Sequence, residues 1–293
     1  MTLFDKKGMS LSNLNGRLLE YIIVLGIKHG FEQEIIFTKQ TIHTNERDKP
    51  KLTEINDELL NHFRNSTTKI IEWISTHFHN NNPITLHRLT DEEGKKGDVT
   101  DIRLTSDDFN LNLSIKNNHL ATKHQRPGPT PKHIGLDSND SDFLNFKKEY
   151  TTINKVFYES SKKVNPEIKL YNEVEDLKFD NLYEPICSLV SNLLNKHSNK
   201  SNLYQTFLLG IVDFKKIILF KDRIEIRSFD NIPKPNKMNS WVENKSYVKV
   251  DFNNNVILSM RLHTASSRIS ETGSLKFDTK IQTINIPSII IKL

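Results

Sequence analysis

The stretch from Gly97 to Arg126 reads GDVTDIRLTSDDFNLNLSIKNNHLATKHQR. Within it, Thr100 to Thr105 and Asn110 to Lys116 alternate apolar and polar residues, which predicts two short strands, and the residues at 106–108 between them (Ser-Asp-Asp) are typical of a turn. Because the side chains of a strand point alternately to its two faces, the pattern predicts a hairpin with an apolar face against a core and a polar face opposite.

The polar face of this hairpin carries groups that suit phosphate chemistry. Asp101 on the first strand and Ser114 and Lys116 on the second are expected to share it. A carboxylate beside a lysine is the minimum apparatus for holding a metal ion and a water molecule next to a phosphate. The same pair is also common as a solvated cross-strand ion pair, and spacing alone does not separate the two interpretations. Asp98 is a second candidate acid.

This arrangement resembles the PD-(D/E)xK nuclease pattern, in which an aspartate opens one strand and a (D/E)xK triplet lies on the next. More narrowly, GDVTDIRL at 97–104 followed by LSIKNNHLATKHQR at 113–126 resembles the HaeIII-type restriction endonucleases. One residue departs from the superfamily: the triplet here begins with Ser114, where a carboxylate is usual. A hydroxyl is a weaker ligand than a carboxylate for a hard cation, so the second metal-binding carboxylate either comes from elsewhere or is absent.

Glu20 is the candidate for that second carboxylate. It lies in a predicted helix from about Leu14 to His29 and projects among apolar residues, where an ionised carboxylate is costly unless a positive group meets it. An ion pair with a neighbour such as Arg17 is one interpretation. The other follows from the resemblance, since in PD-(D/E)xK proteins a glutamate of the first core helix often faces the metal.

The resemblance implies a type II restriction endonuclease that uses Mg²⁺ to hydrolyse phosphodiester bonds in double-stranded DNA at a short specific sequence, for which it suggests GGCC. Asp101 is then expected to be the main metal ligand, with Asp98 as its rival and Glu20 completing the metal shell. Lys116 would orient the nucleophile, and Ser114 would stand in the triplet beside it.

Two basic and polar segments are candidates for contacts with DNA. Lys and Arg neutralise phosphates, and Arg, His, Ser and Lys also donate to guanine edges. The second segment, 261–278, also resembles the C-terminal region of the HaeIII-type enzymes. A solvated helix face, or a polar surface hairpin, is the alternative for each. The candidate residues are Asn117, Asn118, His119, Lys123, His124 and Arg126 in the first segment and Arg261, His263, Ser266, Ser267, Arg268 and Lys276 in the second.

Composition fits a folded protein with an anionic partner but does not require one. The chain has 293 residues, 41 Lys and Arg against 36 Asp and Glu, and a net charge of +5. Its one cysteine, Cys187, excludes an intramolecular disulfide framework and a cysteine-based zinc site. The apolar run from Leu18 to Ile27 is about half the ~20 residues of a membrane span. We therefore expect no membrane association and a cytoplasmic location.

The expected fold class is α/β: a PD-(D/E)xK core with a central mixed sheet flanked by helices, and a β-rich C-terminal part. Residues 1–200 would form the catalytic core with its helical cover, and 201–293 a region for DNA recognition, although the two could be one continuous domain. Thr53 to Arg64 and Ser66 to Phe78 predict two separate covering helices.

A two-fold DNA site favours a homodimer, and no protein partner is evident. The alternatives are a DNA-binding protein that keeps the nuclease fold without activity, which the serine in the triplet would favour, and a non-specific or repair nuclease.

Overall fold

The chain is organised as two compact units. The computed structural model describes residues 11–78, 82–95, 98–107, 109–118, 123–201, 209–282 and 286–293. Unit 1 takes its described residues from 1–120, 211–231 and 286–293, and unit 2 from 121–210 and 232–285. The chain therefore passes between the units four times. These limits differ from the single boundary near residue 200 that the sequence suggested.

Unit 1 combines helices with a seven-stranded mixed sheet in the order β1-β2-β3-β4-β6-β7-β12. The β1–β2 and β4–β6 pairs are parallel and the other neighbours antiparallel. Its helices are α1 (Leu11–Gly30), α2 (Lys39–Asp48), α3 (Asp57–Ser75) and the short α4 (Asp91–Lys95). Its strands are β1 (Ile35–Phe37), β2 (Ile84–Arg88), β3 (Ile102–Ser106), β4 (Phe109–Asn117), β6 (Lys215–Leu219), β7 (Arg223–Ser228) and β12 (Ser288–Lys292).

The predicted hairpin is confirmed as β3 and β4, which pair antiparallel. Its apolar face is buried as expected, and Leu111, Leu113 and Ile115 are each at most 3% exposed. They join one apolar core with residues of α1 and α3. The mixed α/β class with helices beside a mixed sheet is therefore confirmed.

The prediction of two helices at 53–64 and 66–78 was wrong, because α3 runs unbroken from Asp57 to Ser75. The prediction places the start of a second helix at Ser66. Its hydroxyl instead donates to the carbonyl of His62, one turn earlier, at 2.7 Å. A serine that is satisfied inside a helix in this way does not interrupt it.

Unit 2 pairs a five-stranded antiparallel sheet, in the order β5-β11-β10-β9-β8, with helices. One face of the sheet packs on an apolar core that includes residues of α6 and α8. Its helices are α5 (Thr130–His133), α6 (Ser141–Val164), α7 (Glu175–Lys178) and α8 (Glu184–Lys196). Its strands are β5 (Lys123–Gln125), β8 (Asn239–Glu243), β9 (Tyr247–Asp251), β10 (Ile257–Thr264) and β11 (Leu275–Ile281).

The chain beyond residue 200 is rich in strands, as expected, but these strands serve both sheets. β6, β7 and β12 complete the sheet of unit 1, while β8 to β11 belong to unit 2. Cys187 is fully buried in the core of unit 2, in keeping with a packing residue. None of the helices in the described part of the chain is both long and apolar enough to cross a bilayer.

Gly273 occupies a position that excludes a side chain. Its φ is +65°, and an added Cβ would lie 1.8 Å from Oδ1 of the buried Asn154. Gly16, in α1, has nothing within 4 Å of an added Cβ.

We expect Gly273→Ala to lower the free energy of unfolding by about 1–3 kcal/mol and Gly16→Ala to raise it by about 0.5–1 kcal/mol. Urea denaturation measures both, and an unchanged midpoint for Gly273→Ala would contradict the steric argument.

Candidate active site

The candidate catalytic residues meet where β2 and β4 end and β3 begins. β2 and β4 run in the same direction because each is antiparallel to β3. Asp101 immediately precedes β3, and its backbone is fixed on both sides: its N–H donates to the carbonyl of Leu113 (2.8 Å), and its carbonyl accepts from the N–H of Leu89 (3.0 Å). The acid is therefore held by the sheet and does not depend on a loop for its position.

One oxygen of Asp101 collects three donors. Oδ2 accepts from Nζ of Lys116 (2.8 Å), from the backbone N–H of Ile115 (2.5 Å) and from Oγ of Ser114 (3.3 Å). All three come from the predicted Ser-Ile-Lys triplet on β4. Among the described residues, none makes a hydrogen bond to Oδ1. The carboxylate thus has one oxygen that orients it and one that can take a ligand.

Glu20 brings a second carboxylate to this site from α1. Burial and then the negative charge of Asp101 raise its pKa to about 7, against the opposing influence of Arg88 and Lys116. Arg88 donates to Oε2 of Glu20 from Nη2 (3.0 Å) and Nε (3.3 Å). The two carboxylates are therefore close enough to repel each other, and two such groups can be held together by one cation.

Lys116 remains a cation in these surroundings. Burial lowers the pKa of its ammonium group, but Asp101 and then Glu20 outweigh burial and raise the pKa overall. A lysine between two carboxylates keeps its proton and its charge at neutral pH.

Asp98 has a different environment from Asp101. Its Oδ2 accepts from Nη2 of Arg103 (2.6 Å), and its Oδ1 accepts from the backbone N–H of Thr100 (3.0 Å). Arg103 in turn donates from Nε to Oδ1 of Asn112 (2.6 Å). Both carboxylate oxygens of Asp98 therefore accept hydrogen bonds, which fix the segment before β3.

The donor set fits a small hard cation that keeps part of its water shell. Mg²⁺ is typically held by one or two carboxylates together with waters and substrate oxygens. Asp101 and Glu20 supply two carboxylates, and Oδ1 of Asp101 is available to a ligand. No group of three or more His, Cys, Asp or Glu side chains in the described part of the chain is arranged to hold a metal ion.

Sequence reasoning missed two residues of this region, Arg88 and Lys216. Arg88 ends β2, and Lys216 on β6 pairs in register with Ser114. Lys216 is 1% exposed, and its pKa is lowered to about 7, first by burial and then by the charges of Lys116 and Arg227. The run Lys-Lys-Ile-Ile-Leu at 215–219 puts Lys216 on the same face as Ile218, so alternation did not mark Lys216 as part of a polar face. The pairing of β6 with β4 could not be inferred from the sequence, because the two parallel strands are far apart along the chain.

The DNA-contact candidates after β4 divide between the two units. Asn117 and Asn118 belong to unit 1 and His124 and Arg126 to unit 2. Asn118 takes a positive φ of 53°, and its N–H donates to the carbonyl of Leu219 (2.8 Å). His119 and the side chain of Lys123 lie outside the described residues.

Four of the candidates in unit 2 lie on the face of its sheet opposite the apolar core. Arg261 and His263 of β10, Lys276 of β11 and His124 of β5 share this face, because Arg261, Asp278 and His124 are register partners on three neighbouring strands and His263 is the partner of Lys276. Arg126 follows β5 and is exposed. The structure therefore gathers candidates that lie far apart in sequence.

The remaining candidates, Ser266, Ser267 and Arg268, form an exposed turn after β10. Oγ of Ser266 accepts from the N–H of Arg268 (3.2 Å), and the carbonyl of Ser267 accepts from the N–H of Tyr171 (3.0 Å). This turn is held by one hydrogen bond within it and one from Tyr171, while its side chains are exposed.

The lowered pKa of Lys216 makes a prediction about stability. Between about pH 7 and 10.5 the folded state binds fewer protons at this lysine than the unfolded state, so its contribution to stability rises with pH over that window. We expect Lys216→Met to raise the free energy of unfolding at pH 7, and this gain to shrink by on the order of 2 kcal/mol by about pH 9.5.

Urea denaturation at the two pH values measures this change. Lys292→Met, at an exposed lysine of β12, is the control and should show no comparable dependence. A gain for Lys216→Met that is independent of pH would contradict the prediction.

Comparisons with known proteins bear on what this site does. No solved structure matches the chain. The type II restriction enzyme HaeIII of Haemophilus aegyptius is 27% identical over 248 residues, which cover 73% of this chain and 74% of that enzyme. The profile of the HaeIII restriction endonuclease family matches residues 16–232, a span that includes Glu20, the β3–β4 hairpin and β6. The chain belongs to the HaeIII restriction endonuclease family.

Proposed function

We propose that this type II restriction endonuclease hydrolyses phosphodiester bonds of double-stranded DNA with Mg²⁺, at a site formed by Asp101, Glu20 and Lys116. The proposal rests on the proximity of these groups, which lie where β2 and β4 end and β3 begins in the sheet of unit 1. Nζ of Lys116 lies 2.8 Å from Oδ2 of Asp101, and the charge of Asp101 contributes to the raised pKa of Glu20. Separate parts of the chain thus supply two acids and one cation to one place.

Asp101 and Glu20 are the residues that would hold the metal ion. When bound, Mg²⁺ polarises a phosphoryl oxygen and lowers the pKa of a water molecule in its shell. Bringing a cation between the two carboxylates also relieves their mutual repulsion. Asp98 is assigned a structural role, because both of its oxygens are already engaged with Arg103 and Thr100.

Lys116 acts through its positive charge and its directed N–H groups. Its raised pKa keeps the ammonium group charged at neutral pH. It can then donate to the attacking water and to a phosphate oxygen, and stabilise the charge that develops in the transition state. Ser114 does not replace the missing carboxylate in this proposal. Its hydroxyl, with the N–H of Ile115, orients Asp101 instead.

The same residues support assigning the fold of unit 1 to a known nuclease superfamily. An aspartate at the start of β3 and a lysine at the end of β4 occupy the positions of the PD-(D/E)xK pattern, with a glutamate from α1 beside them. We assign unit 1 to the PD-(D/E)xK fold on this basis. The basic face of the unit 2 sheet, with Arg261, His263 and Lys276, is proposed to contact DNA.

The cellular setting and assembly are part of the proposal. Restriction of DNA takes place where the DNA is, so we place the enzyme in the cytoplasm. A two-fold DNA site favours a homodimer, in which each of two active sites cuts one strand.

Asp98 and Asp101 can be separated by matched substitutions. We expect Asp101→Asn to lower the single-turnover cleavage rate by about 10³-fold or more, because it removes a charge from the metal site. Asp98→Asn should stay within about tenfold of wild type while losing about 1–3 kcal/mol of stability with its bond to Arg103. Rates and urea midpoints are measured on the same preparations. Loss of cleavage with Asp98→Asn alone would reverse the assignment.

Lys116→Ala should leave sequence-specific DNA binding intact and abolish cleavage, because the lysine acts on the reacting phosphate. Wild type and variant are incubated with a plasmid that contains GGCC sites, with Mg²⁺ or with EDTA. Discrete fragments from wild type with Mg²⁺ alone support the proposal. A smear would indicate a non-specific nuclease, and binding without cutting would favour the inactive DNA-binding protein. Undiminished cleavage by Lys116→Ala would overturn the role of the lysine.

A further inference from the structure

The strand β12 leaves one edge of the unit 1 sheet open. It stands at the end of the strand order and, among the strands of the described chain, pairs with β7 alone. Its sequence at 288–292 is Ser-Ile-Ile-Ile-Lys, and Ile289 and Ile290 are 50% and 61% exposed. Natural proteins protect such edges with charges, proline, bulges or a covering element. Within β12 the one charged residue is Lys292, at its end. We call the unpaired side of this strand the β12 edge.

The hydrogen bonds of β12 show which of its backbone groups face outwards. In an antiparallel pair, every second residue exchanges N–H and C=O bonds with its partner, and the residues between them point these groups away. The carbonyl of Pro287 accepts from the N–H of Ser228 (2.9 Å), and the N–H of Leu293 donates to the carbonyl of Asp222 (3.1 Å). By this alternation the odd-numbered residues from 287 to 293 face β7. The even-numbered residues face outwards, and these are Ser288, Ile290 and Lys292.

This edge is complementary to a second copy of itself. Two copies of β12 that meet antiparallel, with Ile290 opposite the partner's Ile290, align all five residues of each strand. The outward backbone groups of one copy then meet the outward groups of the other. Ile290 pairs with its counterpart, and Ser288 pairs with the partner's Lys292 at each end. Each of these three pairs exchanges two bonds, which gives about six hydrogen bonds across the interface.

The side chains fit the same register. On one face of the joined sheets the two copies of Ile290 lie opposite each other. On the other face Ile289 lies opposite the partner's Ile291, and Ile291 already packs against the apolar core of unit 1. Lys292 faces an uncharged serine, so no like charges meet. A register centred on Ser288 or on Lys292 aligns fewer residues, and the second of these places two lysines opposite each other.

We propose that the β12 edge is the surface through which two copies of this chain associate, by antiparallel strand pairing about a two-fold axis beside Ile290. The proposal deepens the homodimer proposed above and rests on it. A two-fold interface uses the same surface of both subunits, so that surface has to be complementary to itself. The pairing joins the sheets of two copies of unit 1 and removes the exposed isoleucines of both from water.

The first test measures the assembly of the full chain by sedimentation equilibrium, without DNA or metal, from about 1 to 100 µM. We expect wild type to reach the mass of a dimer in this range. Ile290→Lys should stay monomeric, because it places two like charges directly opposite each other across the axis. Wild type that is monomeric throughout, or a dimer that Ile290→Lys does not dissociate, would overturn the proposal.

The other edge of the same sheet provides a matched control. Ile36 is 44% exposed on β1, which stands at the opposite end of the strand order. Ile36→Lys introduces the same charge at an isoleucine of an edge strand and should leave the dimer intact. Far-UV circular dichroism checks that both variants keep the wild-type secondary structure. Equal dissociation by Ile36→Lys would show a general effect of added charge and would count against the β12 edge.

A proline separates backbone pairing from side-chain contact. Because the N–H of Ile290 faces outwards, Ile290→Pro removes it without removing a bond to β7, and proline is tolerated on edge strands in this orientation. The substitution should raise the Kd of the dimer by about tenfold or more, since each copy loses a donor. Ile290→Val keeps the N–H and most of the apolar surface and should leave the Kd within about threefold. An unchanged Kd for Ile290→Pro would overturn strand pairing.

Amide hydrogen exchange of wild type, followed by NMR, reads the pairing directly. The amides of Ile289 and Ile291 are protected by β7, whereas that of Ile290 is protected only when a second strand covers the β12 edge. A dimer in which the amide of Ile290 exchanges as fast as a free amide would overturn the proposal. Failure of the proposed catalytic site is distinguishable from these outcomes. It would appear as the absence of plasmid cleavage by wild type, whereas mass and amide exchange need neither DNA nor Mg²⁺.

Discussion

The proposed active site in unit 1 depends on a guanidinium group that is almost completely buried. Arg88 is 1% exposed, and its Nη2 lies 2.8 Å from Oδ2 of Asp48 and 3.0 Å from Oε2 of Glu20. It thereby joins the end of α2 and the middle of α1 to the last residue of β2. Removing one partner from such a buried pair typically costs about 3–5 kcal/mol, because the remaining charge is left without compensation. The helices cannot shift without exposing this charge.

The two carboxylates around Arg88 share its charge unequally. Burial would raise the pKa of Asp48, but Arg47, Arg88 and Lys51 lower it overall, so Asp48 is firmly ionised. The pKa of Glu20 is raised to about 7 despite Arg88. Asp48 therefore neutralises most of the positive charge of Arg88. The carboxylate of Glu20 is left without full compensation of its negative charge. A metal ion would provide that compensation, which explains why a glutamate on a buried helix suits this site.

The hairpin and part of the site could be predicted from the sequence because their contacts are local. Alternation located β3 and β4, and Asp101 and Lys116 lie on these adjoining segments. Glu20 came from family resemblance, since periodicity alone leaves a buried carboxylate open to an ordinary ion pair. Arg88 and Lys216 could not be found, because their positions depend on strand register and on packing between distant segments. The same reason accounts for β6 and β7, whose pattern marks strands without saying which sheet they join.

The order in which the chain is made has a consequence for the cell that makes it. β4, which carries Lys116, has β6 as its neighbour, and the ribosome completes β6 only after the segment 121–210 of unit 2 has been synthesised. Long-range pairings of this kind close late in folding. A nascent chain that already contains Glu20, Asp101 and Lys116 thus lacks the strand that pairs with β4, and so the proposed active site is completed only when translation is well advanced.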